Sequence, residues 1–394
     1  MRPKVFSLGN GAAGLALVGL GSCVEPYVPA VLDAPTSALV VDGFINGNGP
    51  TTVLLSRTAT LAAATLPAEK GAKLFIVDDM GLRYPLLEKT SGTYRSDSLV
   101  LSAARRYQLR ITTAGNATYE SALVPLKITP PIEKLSWKLA SNQVQIGLDT
   151  HDPNQLARYY RWGFTETWEF NSSTRSLLEY DAKRDELVLR TTPIYTCWRT
   201  EQRSGIRQGN TAQLSEDRLT DFPILDLSAR AERVRIRYSV LVRQYAETAE
   251  EFAYYDLLRK NTEAVGTVND PLPSQLTGNV RRVDNVGEPV LGFVSAHTVQ
   301  TKRLFVDNKD LNLPGDWVYD SPYQGCSIDS LAEEVFPFDP KGPLAPKTRL
   351  FNQPGTVPVI FYLTPNKVIR GYVGSSPECA DCRLRGSNVK PSFW

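Results

Sequence analysis

From Tyr160 to Phe170 every second residue is a large aromatic, with one exception: Tyr160, Trp162, Phe164, Trp168 and Phe170, interrupted by Glu166. Arg161, Gly163, Thr165, Thr167 and Glu169 stand between them. Successive side chains of a strand point to opposite faces, so this spacing predicts a strand over 158–170 with one aromatic and one polar face. Such a face is expected to fill a sandwich core. If it lay open instead, Trp162 and Trp168 would be the candidates for stacking on sugar rings. A second stretch, 233–245, alternates as well, with Val234, Ile236, Tyr238, Val240 and Val242 opposite Arg233, Arg235, Arg237 and Arg243. The arginine face is expected to be solvated or salt-bridged, the alternative being contact with an acidic partner or lipopolysaccharide.

The rest of the chain supports a mainly β protein. Short strands are predicted over 37–45, 51–56, 73–77, 82–88, 107–112 and 119–126, punctuated by Asn46-Gly47-Asn48-Gly49-Pro50, Asp78-Asp79-Met80-Gly81 and Ala114-Gly115-Asn116. This is the size and rhythm of one immunoglobulin-like sandwich, placed at 37–128. Thr129-Pro130-Pro131 marks a boundary, because consecutive prolines cannot donate to a ladder. A larger, fibronectin type III-like β domain is expected over 132–306, opening with strands at 132–139 and 143–148. It carries one notable helix at about 248–265: Thr248-Ala249-Glu250-Glu251 has capping-box spacing, and Gly266 fits the position after a helix end. A strand-like stretch follows at 290–296. The segment 307–394 reads as loop-rich, with closing strands at 357–364 and 368–373.

The first 22 residues read as a signal peptide: Arg2 and Lys4, then an apolar stretch from Val5 to Leu20. Gly9-Asn10-Gly11-Ala12-Ala13-Gly14 matches a dinucleotide-binding fingerprint literally, but it lies inside this leader, without the strand and helix the motif requires. Leu20-Gly21-Ser22-Cys23 looks like a bacterial lipobox. The resemblance implies cleavage after Ser22, lipidation of Cys23 and anchoring by several acyl chains. Residues 23–36, with Pro26, Pro29 and Pro35, read as a lipidated tether. No later apolar run reaches the length of a membrane span, so the mature chain is expected to be soluble and tethered.

Five ordered clusters resemble a known family. They are Cys23 with Glu25-Pro26-Tyr27, Leu39–Ile45 and Val53–Thr58; Tyr159-Tyr160-Arg161-Trp162 with Trp168-Glu169-Phe170; Tyr238–Tyr245; Asp270–Ser274 with Leu276–Asn279; and Cys379-Ala380-Asp381-Cys382 through Lys390–Trp394. Their order over nearly the whole mature chain is similar to the domain of unknown function 4249 family of Bacteroidota lipoproteins. The resemblance implies an outer-membrane lipoprotein, on the periplasmic or, preferably, the surface face. It also implies an accessory or binding role beside a TonB-dependent transporter. It supplies no catalytic residues.

After Cys23 four cysteines remain, Cys197, Cys326, Cys379 and Cys382. An exported chain with an even count favours disulfides, with one bond expected between Cys326 and the 379/382 pair. A four-thiolate zinc site lacks a second close pair, and a redox C-x-x-C lacks its βαβ context. His151 and His297 are the only histidines, too few for a histidine-rich metal centre and poor material for a Ser-His-Asp triad. The reading is therefore non-enzymatic, with no cofactor beyond the lipid and no metal. The alternatives are a freestanding binder of glycan or peptide and an enzyme of unknown type. A net charge of +2 (44 basic, 42 acidic residues) does not suit a nucleic-acid binder. Asp97-Ser98-Leu99 and Asp329-Ser330-Leu331 resemble a short O-glycosylation signal.

Overall fold

The computed structural model describes residues 37–59, 65–263, 276–326, 351, 355–363, 365–366 and 369–394. The chain is mainly β. Its first strands are β1 (Leu39–Gly43), β2 (Ile45–Asn46), β3 (Pro50–Arg57), β4 (Lys73–Asp78), β5 (Arg83–Thr90), β6 (Thr93–Ser98), β7 (Arg106–Thr112), β8 (Thr118–Ser121) and β9 (Val124–Pro125). Next come β10 (Ile132–Ala140), β11 (Gln143–His151), β12 (Tyr159–Asn171), β13 (Leu178–Asp181), β14 (Glu186–Leu189), β15 (Thr196–Asn210), β16 (Arg218–Ser228), β17 (Arg237–Glu247) and helix α1 (Ala249–Glu263). Then follow β18 (Val280–Arg282), β19 (Val290–Leu291), β20 (Ala296–His297), β21 (Val299–Asp307), β22 (Val357–Leu363), β23 (Ile369–Ser375) and the short helix α2 (Pro377–Ala380).

The first unit is one sheet in the order β18-β8-β7-β4-β5-β6-β3-β1-β19, with β9 beside β7. Its inward side chains, among them Val41, Leu55, Ile76, Tyr94, Leu109 and Tyr119, meet in a single core, so the sheet curves around it. The stretch 280–297, read from sequence as part of the second region, completes this first unit. β18 pairs antiparallel with β8, β19 pairs parallel with β1, and β20 pairs parallel with β2. The strand-like stretch expected at 290–296 is broken into β19 and the start of β20, and β18, only three residues long, carries no periodicity to show it in the sequence. Gly292 permits the closure: its φ is 129°, and a Cβ there would stand 2.0 Å from the Val41 carbonyl oxygen.

The second unit stacks the three-stranded sheet β10-β11-β16 on the four-stranded sheet β15-β12-β17-β21. The aromatic face of β12 lies between them with Val144, Ile146, Leu148, Leu225, Val240 and Val242. Glu166, the exception in the alternation, is buried in the same row. Its charge is met by Tyr238 Oη, which donates at 2.7 Å, and by Arg233 Nη1 at 2.6 Å and Arg203 Nε at 3.3 Å. The strand expected over 233–245 starts at Arg237, because Glu232–Val234 form a tight 3-10 turn.

The two units meet over the outer face of β12. Two connections cross side by side: Lys127 N–H donates to Ala296 O, and Thr298 N–H donates to Lys127 O. The boundary residues are packed. Thr129 bonds Thr298, and Pro130 O accepts from Gln244 Nε2. Arg161, on the odd face of β12, is roofed by α1 and held between Glu247 and Glu251. Its guanidinium lies over the rings of Tyr255 (4.1 Å) and Tyr245 (4.8 Å). Thr248 caps α1 as expected, its Oγ1 accepting from Glu251 N–H at 3.2 Å. The Glu251 carboxylate does not complete the capping box. It turns inward, accepting from Ser295 Oγ at 2.7 Å and lying 3.6 Å from His297 Nε2. His297 is fully buried and stacks on Phe44 at 4.2 Å, and neither ring nitrogen has a hydrogen-bond partner among the described residues.

Burial works against the Arg161 charge, but Tyr255, Glu247 and Glu251 hold the proton on. Burial and the neighbouring Glu251 push Glu247 up to about 7. Burial also acts to raise Glu251, yet His297, Arg161 and Ser295 override it and hold that carboxyl below its ordinary value. With its pKa raised in the folded state, Glu247 contributes stability that is complete below its ordinary pKa of 4.5 and lost as pH rises through about 7. The unfolding free energy should therefore fall between these values in the wild type and run flatter in Glu247→Gln, as checked by urea denaturation across pH. In the second core, Trp162 is 2% exposed and its indole N–H donates to Gln244 Oε1 at 2.8 Å. Trp162→Ala should cost about 3–5 kcal/mol in the same assay; a loss under 1 kcal/mol would contradict this packing.

Candidate functional site

The structure separates the residues singled out by sequence. Trp162 and Trp168 are 2% and 3% exposed, so both belong to the core and neither offers a ring face to a ligand. Trp168 is covered by Arg233, whose guanidinium lies 4.5 Å over its ring. The arginines of 233–243 are largely used internally. Arg233 meets Glu166 and Glu201, Arg237 meets Asp307 at 3.2 Å, and Arg243 donates to Thr165 Oγ1. The C-terminus folds back over this sheet. Arg237 lies 5.5 Å over Trp394, Arg303 lies 3.6 Å over Phe393, and Trp394 Nε1 donates to Glu169 at 3.2 Å. His151 pairs with Arg218 through Nδ1 at 3.1 Å, far in sequence and contact from buried His297. Ser98, the last residue of β6, is exposed. Cys23, Gly266 and Asp329-Ser330-Leu331 lie outside the described residues.

All four remaining cysteines are paired. Cys326 joins Cys379, the expected link between Cys326 and the 379/382 pair, and Cys197 joins Cys382. Adjacent cysteines thus reach different partners. α2 carries Cys379, and the turn that follows, in which Asp381 Oδ1 accepts from Arg383 N–H, carries Cys382. One bond ties this knot to β15 and the other ties it to the 317–326 segment. Cross-links over such loops stabilise by about 2–5 kcal/mol.

The Cys326–Cys379 bond borders a cleft of about 620 Å³, within the usual range for small-molecule sites. One wall is the end of β12 and its exit, Phe170–Ser173, with Tyr195. The second is Glu232, Arg235 and Ile236, and the third is Trp317–Tyr319, Ser321, Tyr323 and Cys326. Two of the aromatic side chains are fixed by their polar edges: Trp317 Nε1 donates to Ala229 O at 3.1 Å, and Tyr319 Oη accepts from Asn308 Nδ2 at 2.5 Å. Glu232 is neutralised by Arg385 in a two-pronged pair (2.9 and 2.6 Å), and Arg385 also lies 4.9 Å over both Phe170 and Tyr323. Burial pushes the Tyr323 phenol up, keeping it protonated and uncharged. Arg235 is exposed, lies 5.9 Å over the Tyr319 ring, and makes no ion pair among the described residues.

Of these lining residues the sequence pattern singled out Phe170 and Ile236 as strand core and Arg235 and Cys326 as candidates for contact or bonding. Trp317, Tyr319 and Tyr323 lay in a segment read as loop. Their one sequence signal was a high aromatic content just before a cysteine. Non-reducing digestion should yield a peptide joining Cys197 to Cys382 and another joining Cys326 to Cys379. A 379–382 bond, or a free thiol at Cys326, would contradict the framed cleft.

No curated protein matches the chain. Solved structures similar to it include a pullulanase from Anoxybacillus sp. LM18-11 complexed with maltotriose, at 11% identity over 52% of this chain and 24% of that one, with a TM-score of 0.16. The Yersinia pseudotuberculosis adhesin InvE is similar at 14% identity over 54% of this chain and 55% of that one, with a TM-score of 0.15. The chain thus spans about a quarter of the first and about half of the second, and likenesses at such scores carry no argument here. A family model described as "Domain of unknown function (DUF4249)" matches residues 24–303, spanning both β units up to β21. By this match the chain belongs to the DUF4249 family.

Proposed function

We propose that this protein is a lipid-anchored outer-membrane protein of Bacteroidota type that binds a ligand without converting it, as an accessory subunit of a TonB-dependent transporter. Anchoring rests on the leader and Cys23, whose acyl chains would hold the β units at the membrane through the tether. The observation that carries the binding role is the cleft: a pocket with walls drawn from four separate chain segments, two aromatic rings fixed at their polar edges and the Cys326–Cys379 bond in one wall. Its chemistry favours holding over reacting. Hydrolysis of a glycoside by carboxylates needs a facing pair, and the one carboxylate among the described lining residues, Glu232, is already clamped by Arg385. His297 is sealed in the junction between the units, so its imidazole is not offered to a substrate. A freestanding surface binder is the second reading, favoured by the same cleft. With Trp162 and Trp168 in the core, any ring stacking in it falls to Tyr195, Trp317 and Tyr319.

Two outcomes test this. Cys23→Ala should release the protein from membranes. If the variant still pellets after salt washing, lipid is not the main attachment. Purified from native membranes in mild detergent, the lipidated protein should bring down one large outer-membrane barrel in stoichiometric amount. Its isolation alone, in detergent that preserves known complexes, would contradict the subunit role and leave the freestanding binder.

A further inference from the structure

The cleft carries an unbalanced charge. Its acid, Glu232, is fully engaged by Arg385, whereas Arg235 projects among the aromatic walls with no acidic partner among the described residues. A second arginine, outside the lining, reaches one of the lining rings. Arg175 is exposed, lies 5.6 Å over the Tyr195 ring that lines the cleft, and makes no ion pair among the described residues. Many arginines of this unit meet a carboxylate, among them Arg161, Arg203, Arg230, Arg233, Arg237 and Arg385, whereas Arg207, Arg243 and Arg303 donate to carbonyl or hydroxyl oxygens. Arg235 and Arg175 have neither kind of side-chain partner among the described residues, and of the two Arg235 lines the cleft. Guanidinium binds carboxylate through two parallel N–H groups, and half-buried aromatic rings accept the C–H face of a sugar ring. Ser173 and Ser321, on opposite walls, supply hydroxyls suited to the sugar's own.

We infer that the cleft binds a carboxylate-bearing saccharide, such as a uronic or sialic acid unit. Its acid group meets Arg235, and its ring lies against Tyr195, Trp317 and Tyr319. This rests on the binding reading above and names its ligand class. An acidic peptide would satisfy Arg235 equally but would leave the paired ring-and-hydroxyl lining without a purpose.

The test uses the detergent-solubilised full-length protein on an array of uronate- and sialate-bearing oligosaccharides, their neutral counterparts and acidic peptides. Hits are followed by titration at low and high salt. Acidic glycans should bind, neutral ones should not, and affinity should fall as salt rises. Arg235→Gln should weaken binding at least tenfold with an unchanged melting temperature, because Arg235 is exposed and holds no ion pair. Equal binding of neutral and acidic glycans, binding of acidic peptides alone, or an array without hits would each overturn the inference. Co-purification with a barrel in any of those cases would leave the subunit role standing, so the two readings fail separately.

Discussion

A single buried cation organises this molecule. Arg161 occupies the outward face of β12, which on a plain sandwich would look into solvent. Here α1 closes over it, and Glu247 and Glu251 neutralise it. Removing the cation from such a buried group costs about 3–5 kcal/mol, since the buried acids are left without water or counter-ion. The arrangement therefore requires a helix immediately after β17, with an acid one turn in. That acid also holds Ser295 and faces His297, on the chain returning to the first unit. One side chain thus couples the sandwich, the helix and the curved sheet.

The far end of the same sheet is covered differently. Arg237 and Arg303 receive the rings of Trp394 and Phe393, and the disulfide from Cys197 to Cys382 brings the tail within reach. The arginine-rich face is thus largely closed by the chain's own C-terminus. The cysteine knot stands where tail, β15 and the 317–326 segment converge, so the framework that seats the tail also shapes the cleft. Arg235 falls just outside the closed face, at the end of the 3-10 turn, and this position sends it into the cleft.

The alternation of β12 was legible down to its exception. Glu166 lies in the core row, and the arginines and tyrosine that answer its charge come from β15, the 3-10 turn and β17. The cap of α1 was legible at Thr248, though not the diversion of Glu251, because a local motif cannot report a partner far along the chain. β15 and β16 were not read at all. β15 holds Arg199, Glu201, Arg203 and Arg207 along a sheet edge, where charge serves to block further pairing and no apolar rhythm forms. β6 was hidden by its polar residues, with only Tyr94 and Ser96 turned inward. The cleft was the least legible feature, since its walls come from segments brought together only by the sandwich and the disulfides.

Amide hydrogen exchange on Arg161→Met, compared with the wild type, tests the organising role of the junction most directly. Exchange should accelerate together in α1, β2 and β20, while β4 and β7 in the first core and β11 in the second keep their protection. Unchanged exchange in α1 and β20, or a loosening confined to α1, would show that Arg161 does not join the two units.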